Sequence, residues 1–212
     1  MKRRKASRFG HVLHPSQPSP QTGAAELTRQ RLIRAALELF TTRGYHDTTT
    51  AQIAKKAGIA EGTIYRHFAS KQQLVNDLYR AAQRWATKVA QEAARNPDAR
   101  AARAQLTAVA HGLLEGAEHD TAVVKLGLLE PLDAVLDDES HKTQREFRVA
   151  LERIVAEGKA QNSVRTGAVE IWAGVWLATI RHALERVVAG EWKSGDTGVR
   201  LVIDAAWRAI SA

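Results

Sequence analysis

Residues 48–71 read TTTAQIAKKAGIAEGTIYRHFASK, and this segment decides the fold of the chain. Its polar residues stand among regularly spaced small and branched apolar ones, a pattern typical of short amphipathic helices. One helix starts near Thr50 and stops before Gly58, and a second covers about residues 61–68. Two short helices joined by a turn of three or four residues that contains a glycine form a helix-turn-helix.

The small and apolar residues of the segment suit the crossing of these two helices. Ala54 is small enough to lie where the helices approach each other, and Gly58 adopts a positive φ without steric cost. The angle between the helices is set by an apolar wedge, which consists of Ile53, Ile59, Ile64 and Phe68.

The opposite side of the second helix carries hydrogen-bonding groups. Its members are Glu61, Gly62, Thr63, Tyr65, Arg66 and His67. A polar, exposed helix in a basic domain fits the major groove of DNA. The alternative without a DNA-binding role is a pair of connecting helices in a bundle whose polar faces are exposed to water.

The charge distribution supports a polyanionic partner. The chain has 212 residues and a net charge of +8. Residues 1–23 carry +5 and residues 24–95 carry +6, whereas residues 96–212 carry −3. A basic first half favours nucleic acid, then an anionic membrane, although a solvated basic surface has the same composition.

Several classes of protein are excluded or disfavoured by composition. The chain has no cysteine, so disulfides, zinc–thiolate sites and thiol nucleophiles are absent. No apolar run approaches the roughly 18 residues of a membrane span, and the basic N-terminus lacks the apolar region of a secretory signal. We expect a cytoplasmic protein without membrane contact and without a cofactor. No motif of a hydrolase, zinc protease or phosphate loop is present, so we expect no enzyme.

The remaining pattern predicts an all-α protein of about nine helices. A first helix covers about residues 24–43 and ends at Gly44, and Ser70 caps a long helix that Pro97 breaks before Asp98 caps the next. A helix spans Thr121 to about Leu136 with an interruption at Pro131. The last helices are apolar, and residues 168–190 are apolar over so much of the circumference that burial on more than one side is expected. We predict a disordered basic tail at 1–23, a DNA-binding domain at 24–71 and a helical regulatory domain at 72–212.

Residues 31–74 resemble the N-terminal domain of the tetracycline-repressor (TetR) family of bacterial transcription regulators. The resemblance rests on AALELF, on the Gly44-Tyr45 exit from the first helix, and on TT…IA…AG, GTIY.HF and SK..L. The rest of the chain matches only as an all-helical arrangement of suitable length. The resemblance implies a homodimer with a three-helix DNA-binding head and a C-terminal body for ligand binding and dimerisation.

The resemblance also implies roles for residues of the head. Thr49 and Thr50 hold DNA phosphates, and Gly62 allows close approach of the backbone. Thr63 and Arg66 contact base edges, with Arg66 suited to the O6 and N7 atoms of guanine. Further phosphate contacts come from Tyr65, His67 and Lys71.

Two positions depart from the family pattern. Ala60 stands where the family usually has a Ser or Thr, and it provides no cap for the recognition helix, at a cost of about 1 kcal/mol. Glu61 has two interpretations. It accepts a hydrogen bond from a cytosine N4, or it faces water at the helix N-terminus.

The resemblance places a small-molecule effector in the body, and repression is the family's commoner mode. The apolar lining suggests an apolar or aromatic effector. Candidate pocket residues are Leu106, Val109, Leu113, Leu114, Val123, Leu126, Phe147, Leu151, Trp172 and Trp176. Candidate dimer-interface residues are Ile180, Leu184, Val187, Val188, Leu201, Ile203, Ala205 and Trp207, and Trp176 fits either set. The alternative for each of these residues is that it only packs in the hydrophobic core.

Other functions remain to be distinguished. His111, Glu115 and His119 share one helical face and suit zinc, but a polar helix end explains them better, and we expect no metal. The tail KRRK inserts into a minor groove, attracts phosphates or only solubilises the chain. The alternatives to an operator-specific regulator are a non-specific architectural DNA-binding protein and a helical scaffold that binds no DNA.

Overall fold

A computed structural model describes residues 20–96 and 100–212, with side chains from residue 23 onward. The basic residues 2–8 and the predicted break at Pro97 and Asp98 lie outside the described residues. In the described part, helices dominate, and the one extended pairing is an isolated bridge between Val164 and Ser211. The all-α class is confirmed. None of the described helices is long and apolar enough to cross a membrane.

The helices follow one another with short connections. Their bounds are α1 Pro20–Arg43, α2 Thr50–Ala57, a 3-10 helix Glu61–Arg66, α3 Lys71–Arg95, α4 Ala102–His119, α5 Thr121–Val124, a π-helical turn Lys125–Leu129, a 3-10 turn Asp133–Val135, α6 Asp138–Ala160, α7 Val169–Val188 and α8 Thr197–Ile210. Helix α1 begins four residues before the predicted start at Ala24. The proposed domain boundary between residues 71 and 72 falls in the first turn of α3.

Local capping signals place the ends of the first helices. Gly44 has a φ of 87° and donates its N–H to the Phe40 carbonyl at 3.1 Å. The Thr49 hydroxyl accepts from the Gln52 N–H, and the Gln52 side chain accepts in return from the Thr49 N–H, which is a capping box. The Ser70 hydroxyl accepts from the Gln73 N–H at 3.0 Å, as predicted for the start of the long helix.

The predicted recognition helix is a 3-10 helix rather than an α-helix. Its first turn closes with a hydrogen bond from the Thr63 N–H to the Ala60 carbonyl at 2.9 Å. Ala60 offers no side-chain cap, as expected. A segment of six residues without a cap gains little from α-helical hydrogen bonds, so the tighter 3-10 form is accessible.

The helix predicted over residues 121–136 does not form as one unit. The α-helical part ends at Val124, and the next turn is π-helical, with the Glu130 N–H bonded to the Lys125 carbonyl at 3.0 Å. Pro131 lies after this turn and before the short 3-10 turn. The wider π turn, and not the proline alone, therefore ends the regular helix.

One hydrophobic core runs through the head and the body, and α3 contributes to both parts. Leu32, Phe40 and Leu74 are buried in the head. In the single chain, α7 buries one side, and Ile171 on its other side is 58% exposed. The predicted burial of α7 on more than one side is therefore not met within one chain.

Candidate nucleic-acid interface

The apolar wedge of the helix-turn-helix forms as the sequence predicts. Ile53, Ile64 and Phe68 are buried, and Ile59 packs against the core while partly exposed. Ala54 is buried, and its carbonyl accepts the Ile59 N–H at 3.1 Å across the turn at Gly58. The wedge thus fixes the 3-10 helix against α2.

The predicted DNA-contacting residues lie on the outside of this unit. Thr49, Glu61, Gly62, Tyr65 and Arg66 are exposed. The partly buried members are Thr50, Thr63, His67 and Lys71.

A pair of hydroxyl groups joins the two helices at this surface. The Thr50 Oγ1 atom lies 3.3 Å from the Tyr65 Oη atom. Thr50 opens α2, and Tyr65 belongs to the 3-10 helix, so the predicted phosphate-binding groups of both helices are brought together. Each hydroxyl retains further hydrogen-bonding capacity for a phosphate oxygen.

Lys71 holds the turn that precedes α2. Its ammonium group donates to the carbonyls of Tyr45 and Thr48, both at 2.8 Å, and lies 4.2 Å from the centre of the Tyr45 ring. Burial lowers the pKa of Lys71, and the charge of Asp47 acts in the opposite direction. Two of its three N–H donors are therefore engaged inside the head, and one is left for a phosphate.

Two contacts attach α1 to the body. Arg34 pairs with the largely buried carboxylate of Asp120 at 2.6 Å. The Lys125 ammonium group donates to the Thr41 carbonyl at 2.6 Å and also pairs with Glu130 at 3.6 Å. Lys125 opens the π-helical turn, so this turn is bonded to the head.

A polar cluster attaches the first half of α3 to the segment before α6. The buried Asn76 donates to the Val135 carbonyl at 2.9 Å and accepts from the Asp137 N–H at 2.9 Å. Arg80 pairs with Asp137 at 2.8 Å. Asp137 also caps α6 by accepting from the Ser140 N–H at 2.8 Å. The sequence did not indicate this cluster, because the helical neighbours of Asn76 include Gln72, Gln73 and Arg80 and therefore do not mark its side chain as buried.

A cavity of about 310 Å³ lies in the body beside the π-helical turn. Its walls come from α3, the segment 127–136, α6 and α7. Polar groups in the lining include Tyr79, Gln83 and Gln144. Burial raises the pKa of Tyr79, so its hydroxyl stays protonated at neutral pH.

The predicted pocket residues are placed mainly in the core. Phe147 lines the cavity, as does Leu184, which was assigned to the dimer interface. Trp172 is partly buried and donates its indole N–H to the Thr166 carbonyl at 3.0 Å. The other members are buried core residues, namely Leu106, Val109, Leu113, Leu114, Val123, Leu126, Leu151 and Trp176. Sequence reasoning missed Tyr79 and Gln83, whose positions among the apolar residues of α3 were the available signal.

The predicted dimer-interface residues divide into two groups. Leu201 and Ala205 are exposed, and Val188 and Trp207 are partly buried. The remaining four are buried within the single chain, namely Ile180, Leu184, Val187 and Ile203.

His111, Glu115 and His119 lie together along an open groove between α3 and α4. Within residues 20–96 and 100–212, no group of three His, Asp or Glu side chains is arranged to hold a metal ion. The groove is consistent with the polar helix face that the sequence suggests.

Comparisons with known proteins agree with this geometry. The family model for bacterial regulatory proteins of the tetR family matches residues 32–78. The regulator TcmR of Streptomyces glaucescens is 31% identical over 185 residues, which is 84% of this chain and 78% of TcmR. The regulator SrpR of Pseudomonas putida is 51% identical over 51 residues, or 24% of each chain.

A solved structure shares the whole architecture. A TetR family regulator from Marinobacter aquaeolei VT8 superposes with a TM-score of 0.73 at 19% identity, covering 90% of this chain and 98% of that one. Given this fold, the matched helix-turn-helix and the likeness to TcmR across most of both chains, the chain belongs to the tetR family and is a DNA-binding transcription regulator.

Proposed function

We propose that the chain is a homodimeric repressor that binds an inverted-repeat operator and releases it when a small molecule occupies the body. The observation that carries the proposal is the Thr50–Tyr65 hydroxyl pair, which joins the two DNA-facing helices on the outside of a basic head. Repression is supported by relatives named as repressors, such as KstR2 of Mycobacterium tuberculosis.

Base contacts are assigned to Thr63 and Arg66 of the 3-10 helix. Arg66 is exposed and has no hydrogen-bond or ion-pair partner among the described residues, so its guanidinium group is available for a guanine edge. Phosphate contacts come from Tyr65 and His67 on either side of it in sequence, and from Thr49 and Thr50 at the start of α2. These contacts position the head, and the base contacts provide specificity.

Dimerisation is assigned to the exposed side of α7 and α8. Ile171 and Leu201 are 58% and 65% exposed, and Ala178 and Ala205 are also exposed, seven and four residues further along the same two helices. Large exposed apolar side chains on two terminal helices suit an isologous contact with a second copy. A two-fold dimer presents two heads to successive major grooves, which requires an inverted repeat.

We assign the release of the operator by an effector to a movement of the cavity wall. The segment 127–136 lines the cavity. Just before it, Lys125 donates to the Thr41 carbonyl in α1 of the head, and near its end the Val135 carbonyl accepts from Asn76 of α3, the helix that follows the head. A ligand that moves this wall changes the position of the heads, and it weakens DNA binding by its preference for the changed state.

Selection from random duplex DNA with the full chain tests the operator. We expect recovery of an inverted repeat whose half-sites lie about one helical turn apart. Recovery of sequences without a repeat would count against specific binding and would favour an architectural role.

A further inference from the structure

The cavity contains one amide group whose hydrogen bonding is incomplete. Gln83 on α3 is 3% exposed and lines the cavity. Its Nε2 atom donates to the Gly127 carbonyl at 2.7 Å and to the Tyr79 hydroxyl oxygen at 3.0 Å. Its Oε1 atom is buried and has no hydrogen-bond partner among the described residues.

The orientation of this amide is fixed by its neighbours. The Gly127 carbonyl only accepts hydrogen bonds, so the amide nitrogen must face it, and Oε1 must point elsewhere. A buried acceptor without a donor is unfavourable, because it has lost its water without gaining a partner. Because Gln83 lines the cavity, a ligand donor that reaches Oε1 from there removes this penalty.

The rest of the lining determines the general character of the ligand. Most of it is apolar, with side chains of Leu128, Leu129, Leu132, Leu136, Phe147 and Leu177. The charged groups are two arginines, Arg148 and Arg181, and two acids, Glu130 and Asp133, so their formal charges cancel. Such a lining favours an uncharged molecule.

We propose that this cavity binds an uncharged, apolar effector that donates a hydrogen bond from a hydroxyl or N–H group to the Gln83 Oε1 atom. The inference rests on the proposed function and adds the chemical class of the effector. A volume of about 310 Å³ suits a small ligand, since ligand cavities span roughly 300–1,000 Å³.

The site lies at a junction between two structural elements. A Cβ atom placed on Gly127 would lie 2.3 Å from the Ala82 Cβ atom, so the π-helical turn packs directly on α3 at this point. The Gln83 amide bonds the same glycine. A ligand bound to Gln83 therefore contacts the place where the turn carrying Lys125 meets the helix that follows the DNA-binding head.

Matched ligand pairs test the donor. The probes are 2-naphthol with 2-methoxynaphthalene, 1-decanol with 1-methoxydecane, and acetanilide with N-methylacetanilide, titrated into the full chain by calorimetry. For each pair that binds, the donor-bearing member should bind at least about tenfold more tightly, because its partner leaves Oε1 unpaired. Binding should also lower the affinity for the selected operator.

A second glutamine provides a matched control. Gln105 on α4 is 4% exposed and also has an unpartnered Oε1, but it does not line this cavity. Gln83→Met should reduce the donor preference to within about twofold, whereas Gln105→Met should leave it unchanged. If Gln83→Met fails to fold, the matched ligand pairs measured on the wild-type chain still test the preference for a hydrogen-bond donor.

The outcomes separate this inference from the proposed function. Equal binding of the two members of each pair, with operator release, overturns the role of Gln83 and leaves effector-controlled repression intact. Binding of no probe overturns the assignment of the cavity. Tight binding of a probe without any change in operator affinity contradicts the proposal that a ligand in this cavity releases the operator.

Discussion

The Lys125 ammonium nitrogen lies 2.6 Å from the Thr41 carbonyl oxygen, so the π-helical turn beside the cavity is hydrogen-bonded to the last turn of α1. A cation is favourable at this helix end, where the backbone carbonyls lack partners and the helix dipole is negative. The bond gives the cavity a direct connection to the DNA-binding head.

Replacing Lys125 tests this connection. Lys125→Met should lower the free energy of unfolding by about 1 kcal/mol and weaken the effect of a bound ligand on DNA affinity. Operator affinity with and without ligand is the measurement. Lys159→Met is the control, because Lys159 also donates to a backbone carbonyl, that of Gly167, far along the chain in the body. Equal ligand effects in both variants would contradict the connection.

Asp137 should make stability dependent on acidic pH. Burial acts to raise its pKa, but hydrogen bonds from Ser140 and Arg80 outweigh this and hold the pKa below its usual value. The carboxylate therefore stabilises the fold above about pH 4, and this contribution is lost as the pH falls through the folded-state pKa. Urea unfolding should show Asp137→Asn less stable than the wild type at pH 7, with a difference that shrinks below pH 4. A difference independent of pH would refute the assignment.

Gly62 should matter to DNA and not to folding. A Cβ atom on Gly62 meets nothing within 4 Å in the chain, and its φ is not positive. Gly62→Ala should therefore keep or slightly raise stability, and yet lower operator affinity by roughly tenfold, about 1.4 kcal/mol, if the backbone approaches DNA. Gly195→Ala, at another open glycine, should leave affinity unchanged. Unchanged operator affinity in Gly62→Ala would show that the backbone at Gly62 does not approach DNA closely.

Arg66 should carry sequence preference. Arg66→Ala should cost about 1–3 kcal/mol of operator affinity and relax selection at one base position, with little effect on thermal stability. Arg153→Ala replaces another exposed arginine on α6 and should do neither. A uniform loss of affinity across sequences would reassign Arg66 to a phosphate.

Leu201 should contribute to self-association. Leu201→Glu places a charge at a 65% exposed apolar site and should shift the chain towards monomer in sedimentation analysis. Val149→Glu, at a 42% exposed site on α6, should retain the oligomeric state. Monomeric behaviour of the wild type would exclude the proposed interface.

The caps and wedge of the head were predictable because they depend on neighbours in sequence. Gly58 and Ser70 act within one helical turn, and the spacing of Ile53, Ile64 and Phe68 defines a buried side directly. The uncapped Ala60 was also visible, although the 3-10 form that accompanies it was not. A six-residue segment has too few hydrogen bonds for propensity to decide its type.

The roles of Lys71 and Gln83 depend on partners that are distant in sequence. Lys71 bonds the carbonyls of Tyr45 and Thr48, and Gln83 bonds that of Gly127. Backbone carbonyls carry no signal in the sequence, so the partners of these two side chains could not be anticipated, although the position of Gln83 among apolar residues of α3 indicated a buried polar group. The same limit applies to the cavity, whose walls come from four separate parts of the chain.

The two hydrogen bonds of Lys71 couple the head to α3, so a tilt of α3 moves the head. Lys71 is the first residue of α3 and is bonded to the turn before α2. Gln83 lies roughly 18 Å further along α3, at 1.5 Å per residue. A tilt of about 5° pivoting near Gln83 displaces the head by about 1.6 Å over that length. Two heads related by a two-fold axis double the error in their separation to about 3 Å, against a groove spacing of about 34 Å. Tyr79, which also lines the cavity, lies only about 6 Å from Gln83, so the same tilt moves it by about 0.5 Å. A movement smaller than one bond length at the cavity therefore becomes a misfit on the scale of a hydrogen bond at the DNA.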